Sequence, residues 1–193
     1  MLRSLIFTLS LAAVLATPVV AQDSNTQNKP FDVRSSVGDL HVGSDADAKK
    51  AGLPLYPGAR LKTGSHDGDS NQANLSLLTE GFGFKLVASK YDSSDEPGKV
   101  VDFYRDKLKR YGKVLECHSQ KHGGDVNVNS DDKDSKDSKD KELKCEENSG
   151  PVTELKVGTE NDQHVVAIEP GDTGKGSTFA VVYVHTRGKS GDI

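Results

Sequence analysis

The chain has 193 residues, and its 25 Lys and Arg against 29 Asp and Glu give a formal net charge of −4 at pH 7. Because this mildly acidic balance comes without a basic stripe interleaved with aromatic residues, we expect no nucleic-acid partner. The length suits one domain with a substantial core and is short for two.

The first 21 residues have the pattern of an export signal. Arg3 supplies one positive charge, and the apolar run Ser4–Ala16 that follows is too short to span a bilayer comfortably. Val19 and Ala21 are small residues at the positions that signal peptidase requires, so cleavage is predicted between Ala21 and Gln22. No later segment has the roughly 18 consecutive apolar residues of a membrane span. We therefore expect a periplasmic or secreted protein without a membrane span after cleavage.

The segment after the signal has little periodicity. Residues 22–36 predict a disordered leader, and a single domain is expected over 37–187. A short alternation at 37–42 predicts an edge strand. The two prolines of 53–59 exclude regular helix and central strand, so an extended segment with an inward-facing Tyr56 is expected there.

A hairpin and a helix come next. Residues 73–77 and 82–91 alternate between apolar and polar side chains, which predicts two paired strands. The helix is predicted at about 95–111, with Pro97 in its first turn and Gly112 as its stop. Its apolar residues recur at spacings of three or four: Val100, Phe103, Tyr104, Leu108 and Tyr111.

The two cysteines, Cys117 and Cys145, predict a disulfide, since an exported chain reaches an oxidising compartment. Between them lies a charged segment at about 119–141 that repeats Asp-Ser-Lys and predicts a disordered loop. Strand character on both sides of the loop, at 113–118 and 142–146, suggests that the bridge joins two paired strands.

Three further strands are predicted at 153–158, 164–169 and 177–186. Because 179–184 is apolar on both faces, this segment should be a central strand that is covered on both sides. The predicted fold is α+β, with a mostly antiparallel sheet of five to seven strands and one main helix packed on one face. One helix covers only one face, so the segment 37–61 or a partner must cover part of the other.

No catalytic, cofactor or metal site is predicted from motifs. The glycine-rich string at 171–178 is not a phosphate-binding loop, because Gly176 separates Lys175 from the hydroxyl residues and a strand follows. His118 and His122 are weak metal candidates near the cysteines, since a bridged cysteine is not available as a thiolate ligand. His164 and His185 are the other histidines that adjacent strands could bring together.

Two segments carry a family resemblance. Pro54–Ala59 reads PLYPGA, and the helix around Phe103 and Tyr104 has the pattern VxxFYxxxL. Together they resemble small exported bacterial proteins of unknown function that share a PxYPGA segment and such a helix. No site residues come with this resemblance. Tyr56, Phe103 and Tyr104 are expected to be core anchors or to line a pocket.

Three functions are consistent with these patterns. The leading hypothesis is a non-enzymatic periplasmic or secreted binding module, with a protein or a small apolar ligand as its partner and no cofactor. A metal-dependent or hydrolytic enzyme that uses His118, His122 or the His164 and His185 pair is the alternative. A purely structural or stress-related exported protein is the third hypothesis.

Overall fold

A computed structural model of the chain describes residues 31–43, 46–62, 71–120 and 142–188. The predicted signal segment 1–21, its cleavage point, residues 22–30 of the predicted leader and most of the predicted loop at 119–141 lie outside these residues. Within the described ranges, no helix is both long and apolar enough to cross a membrane.

The described residues form one sheet of nine strands, in which every strand pair is antiparallel, and one α-helix. The elements in chain order are β1 (Phe31–Ser35), β2 (Gly38–Gly43), β3 (Arg60–Leu61), β4 (Gln72–Thr79), β5 (Gly83–Ser93), α1 (Pro97–Leu108), β6 (Leu115–Ser119), β7 (Val152–Thr159), β8 (Asp162–Pro170) and β9 (Ser177–Arg187). The sheet order is β1-β2-β4-β5-β9-β8-β7-β6, and β3 pairs separately with β5. The α+β class and the mostly antiparallel sheet are confirmed.

The predicted number of five to seven strands is wrong. The sequence patterns did not predict β3, because two residues are too few to show an alternation. They also missed β1, which lies inside the predicted leader 22–36. Phe31 and Val33 alternate with charged residues there, and a tight turn connects them to β2 with Ser35 opposite Gly38.

The strand expected at 142–146 is also absent from the described residues. The partner of β6 is β7. Residues 142–150 instead make two isolated bridges, from Glu142 to Thr159 and from Asn148 to His118. Ser119, which the predicted loop included, is the buried last residue of β6.

The predicted helix at 95–111 is shorter in the structure. It begins at Pro97, where the missing backbone donor costs nothing, and Glu96 precedes it without a side-chain capping hydrogen bond. After Leu108 a 3₁₀ turn, Lys109–Tyr111, tightens the chain before Gly112 ends it. The buried stripe is Val100, Val101, Tyr104 and Leu108.

The sheet buries apolar side chains on both of its faces, which we call the helix face and the second face. On the helix face, Phe179 and Val181 of β9 join one core cluster with α1 and with the residues of the 46–56 segment. On the second face, Ala180, Val182 and Val184 of β9 cluster with Val165 of β8. Since β9 lies between β5 and β8, the prediction of a central strand at 179–184 is confirmed.

Candidate binding surface

Two rows of apolar side chains cross the second face of the N-terminal strands. Residues that lie opposite each other in an antiparallel pair point to the same face, so the strand registers trace each row. The first row consists of Phe31, Val42, Leu75 and Leu86, on β1, β2, β4 and β5 in turn. The second row consists of Val33, Leu40, Leu77 and Phe84 on the same four strands. We call these eight side chains the N-terminal apolar face.

Burial along the first row falls steadily toward the edge of the sheet. Val184, which continues the row on β9, is 1% exposed. Leu86 and Leu75 are half-buried, whereas Val42 is 43% exposed and Phe31 is 58% exposed. Exposed apolar residues that are scattered singly need no explanation, but a contiguous apolar patch marks an interaction surface.

The helix face of the same strands carries a row of polar side chains. Asp32, His41, Ser76 and Lys85 lie opposite one another across β1, β2, β4 and β5. The Nδ1 atom of His41 is 2.7 Å from the Oδ1 atom of Asp32. The N-terminal hairpins are therefore amphipathic, and their apolar side lies opposite the face that α1 covers.

Tyr56, Phe103 and Tyr104 lie together on the helix face, where Tyr56 and Tyr104 pack against Phe179. The ring centroid of Tyr104 is 5.5 Å from that of Phe179, and the Tyr56 and Phe103 rings meet edge to face at 5.2 Å. Tyr56 and Tyr104 are buried, and Phe103 is half-buried. Their place is thus in the core, away from the N-terminal apolar face.

Hydrogen bonds fix the polar ends of these aromatic residues. The Tyr56 hydroxyl donates to Asp95 Oδ2 at 2.8 Å, and the Tyr104 hydroxyl accepts from the Tyr56 backbone N–H at 3.2 Å. Burial, and secondarily the hydrogen bond to Asp95, raises the pKa of Tyr56 above its ordinary value. The same hydrogen bond, together with Lys99, lowers the pKa of Asp95. Tyr56 thereby ties the PLYPGA segment to the start of α1.

His164 and His185 lie on adjacent strands of the helix face, with Tyr183 between them. The His164 ring is stacked on Tyr111 with centroids 3.9 Å apart, and its centroid is 4.7 Å from that of Tyr183. Burial lowers the pKa of His164, and Arg110 acts in the same direction against the opposing effect of Asp162. This packing favours a neutral ring that is enclosed between two tyrosines.

Gly52 allows this stack to form. It has φ +77°, and a Cβ atom there would lie 2.8 Å from the Tyr111 hydroxyl and 3.2 Å from His164 Nε2. The Tyr111 hydroxyl donates to the Gly52 carbonyl at 2.6 Å, and the Arg110 guanidinium donates to the same oxygen. A glycine is required here because a larger residue would be strained and would collide with the stack.

His185 is not oriented as a general base. Its Nδ1 atom is 3.7 Å from Asp162 Oδ1, which is longer than a hydrogen bond, and this nitrogen is enclosed without a hydrogen-bond partner in the described part of the chain. Burial, with a smaller effect of Asp162, raises the pKa of Tyr183. The geometry encloses His164 in aromatic packing and leaves His185 beyond hydrogen-bond distance of Asp162.

The predicted disulfide between Cys117 and Cys145 is present, with Cα atoms 5.4 Å apart. It connects β6 to the 142–150 segment, where the Gln120 backbone N–H also donates to Glu147 at 3.2 Å. His118 is half-buried on β6, and His122 lies outside the described residues. The described ranges contain no group of three or more His, Cys, Asp or Glu side chains that could hold a metal ion.

The sequence patterns missed the surface that the structure makes most conspicuous. A signal was present, because Phe31 and Val33 alternate before the turn and Leu40 and Val42 alternate after it. Residues 31–36 were instead assigned to the leader, so the hairpin was not recognised. The rows across four strands depend on strand register, which a single sequence does not provide.

The chain was also compared with known proteins. It matches no protein-family model, no curated protein and no solved structure.

Proposed function

We propose that this chain is an exported, non-enzymatic module that binds another polypeptide through the N-terminal apolar face. The observation that carries the proposal is the contiguous pair of apolar rows. The first row continues to the buried Val184 on β9, and both rows are open at β1. Export is supported by the signal pattern at 1–21 and by a disulfide, which persists in oxidising compartments.

The shape of the surface favours a polypeptide over a small apolar ligand. Neighbouring strands lie about 4.8 Å apart, so rows across four strands extend roughly 15–20 Å. Small-molecule sites are concave and enclose most of their ligand. The N-terminal apolar face has its most exposed residues, Phe31 and Val42, at an open margin of the sheet.

The enzyme hypothesis lacks a comparable observation. The separation of His185 and Asp162 exceeds a hydrogen bond, and His164 is covered by Tyr111 and Tyr183. His164 therefore acts first as a packing residue in this structure.

The proposal is tested by titrating the mature chain with the apolar fluorescent dye anilinonaphthalene sulfonate. We expect saturable binding to the folded protein, which Val42→Ser weakens. Leu78→Ser is the matched control, since Leu78 is 47% exposed and its neighbour Leu77 places it on the opposite face of β4. Equal dye binding by both variants and the parent chain would contradict the proposal.

The dye stoichiometry separates the two classes of partner. An open surface takes up more than one dye molecule per chain, whereas an enclosed pocket for a small ligand takes up one. Far-ultraviolet circular dichroism checks that each variant retains its secondary structure, so that a change in dye binding can be assigned to the substituted side chain.

A further inference from the structure

The two edges of the sheet differ in how they end. The edge formed by β6 carries the 142–150 segment, which the Cys117–Cys145 bridge and the pairing of His118 with Asn148 hold in place. The other edge is β1, whose five residues are all exposed. In the described ranges, β1 pairs with β2 alone. An open edge strand is a template for the backbone of another chain.

The sequence of β1 is complementary to itself. Within β1, Phe31–Ser35, Asp32 directly precedes Val33 in the sequence and Arg34 directly follows it. If two such strands pair antiparallel about Val33, Asp32 of each copy lies opposite Arg34 of the other. Opposite charges placed directly across an antiparallel pair are favourable, and like charges are unfavourable. An antiparallel ladder can be centred on either kind of residue pair, so the backbone permits this register.

The same register continues the second apolar row, which contains Val33. Val33 of one copy lies beside Val33 of the other on the second face, and Phe31 lies beside Ser35. The Val33 side chain, 40% exposed in the single chain, gains an apolar neighbour. The charged pairs meanwhile project from the polar helix face, where Asp32 also contacts His41.

We propose that the polypeptide that binds at this edge is a second copy of the chain, joined by antiparallel pairing of the two β1 strands about Val33. This inference rests on the proposed function and names its first partner. The pairing joins two sheets into one and merges the two N-terminal apolar faces into a single surface across the two-fold axis.

Sedimentation velocity of the mature, oxidised chain at several concentrations tests the pairing. The parent chain is expected to form a dimer. Asp32→Arg and Arg34→Asp each place like charges opposite one another twice, so each should raise the dissociation constant about tenfold or more. An equimolar mixture of the two variants restores both complementary pairs, and so does the double variant Asp32→Arg with Arg34→Asp. Both are expected to dimerise more tightly than either single variant alone, although the carboxylate that Arg34→Asp introduces then lies opposite Asp39 within its own hairpin.

A second measurement does not depend on charge. Val33→Cys places two thiols beside each other at the two-fold axis, and oxidation should give a covalent dimer. Val37→Cys is the control, because Val37 is 76% exposed in the turn after β1 and lies away from the axis. A monomeric parent chain, charge variants that dimerise like the parent, or equal cross-linking at both positions would each overturn the inference.

The outcomes also separate the two proposals. If the chain is monomeric and its dye binding is weakened by Val42→Ser but not by Leu78→Ser, the polypeptide-binding surface is supported. The proposal that a second copy of the chain is the partner is then rejected. If the charge variants change dimerisation as expected but Val42→Ser leaves dye binding unchanged, the edge pairing is supported and the proposed binding surface is rejected.

Discussion

The two halves of the sheet are completed in different ways. In the C-terminal half, β8 is buried from Gln163 to Glu169, α1 covers one face, and a disulfide-linked segment flanks the edge strand β6. In the N-terminal half, one face carries a polar row, the apolar face is open toward β1, and β1 has an unpaired edge among the described residues. The contrast supports the proposal that one half stabilises the fold and the other binds a partner.

The largest expected effect lies in the aromatic core of the C-terminal half. Phe179 is fully buried against Tyr56, Tyr91 and Tyr104. Phe179→Ala should therefore lower the free energy of unfolding by about 3–5 kcal/mol, through lost burial and the cavity left behind. Chemical denaturation measures this change. A loss below about 1 kcal/mol would show that the cluster does not form the core.

The disulfide should have the next largest effect. Replacing both Cys117 and Cys145 by Ala opens a loop whose ends are 28 residues apart in sequence. The chain-entropy estimate for a loop of this size is about 3–4 kcal/mol of stability. Denaturation of the double variant, compared with the oxidised parent chain, checks the value. The parent and the variant should agree once reductant is present, and a persisting difference would assign the effect to the alanine side chains.

A matched pair of valine truncations compares the halves directly. Val165 is fully buried on the second face of β8, whereas Val42 is on the same face of β2 near the open margin. We expect Val165→Ala to destabilise the chain by about 2 kcal/mol and Val42→Ala by about 0.5 kcal/mol. Both are measured under dilute conditions, where the chain is monomeric. An equal decrease in the free energy of unfolding for the two variants would contradict the difference in burial between the two halves.

The smallest expected effect concerns pH. Burial between Tyr111 and Tyr183 lowers the pKa of His164 below its unfolded value, so the unfolded chain binds the proton more readily. The free energy of unfolding should therefore be at its full value above about pH 6.5 and should fall as the pH drops toward the folded pKa. Denaturation at pH 7.5 and pH 5.5 measures this component. His164→Gln should reduce the difference between the two conditions, and an unchanged difference would assign it to other groups.

Local patterns predicted much of the C-terminal half. The helix followed from the spacing of Val100, Tyr104 and Leu108, and the central strand followed from an apolar run on both faces. The disulfide followed from the presence of two cysteines in an exported chain. These features rest on short-range periodicity or on residue counts, which a single sequence contains.

The candidate surface could not be predicted in the same way. Its rows depend on the registers of β1, β2, β4 and β5, which are fixed by tertiary packing. The stack of Tyr111 on His164 likewise joins residues far apart in sequence. Tyr56, which the sequence marked as an anchor, is an anchor of the core and does not line the apolar face.

The most direct test is amide hydrogen exchange of the mature chain at low and high protein concentration. If a single chain completes the C-terminal half and a second copy completes the N-terminal edge, the amides of β7, β8 and β9 are protected at both concentrations. The β1 amides that point away from β2 then become protected only when the chain is concentrated. Exchange of β1 amides at the same rate under both conditions would contradict the account.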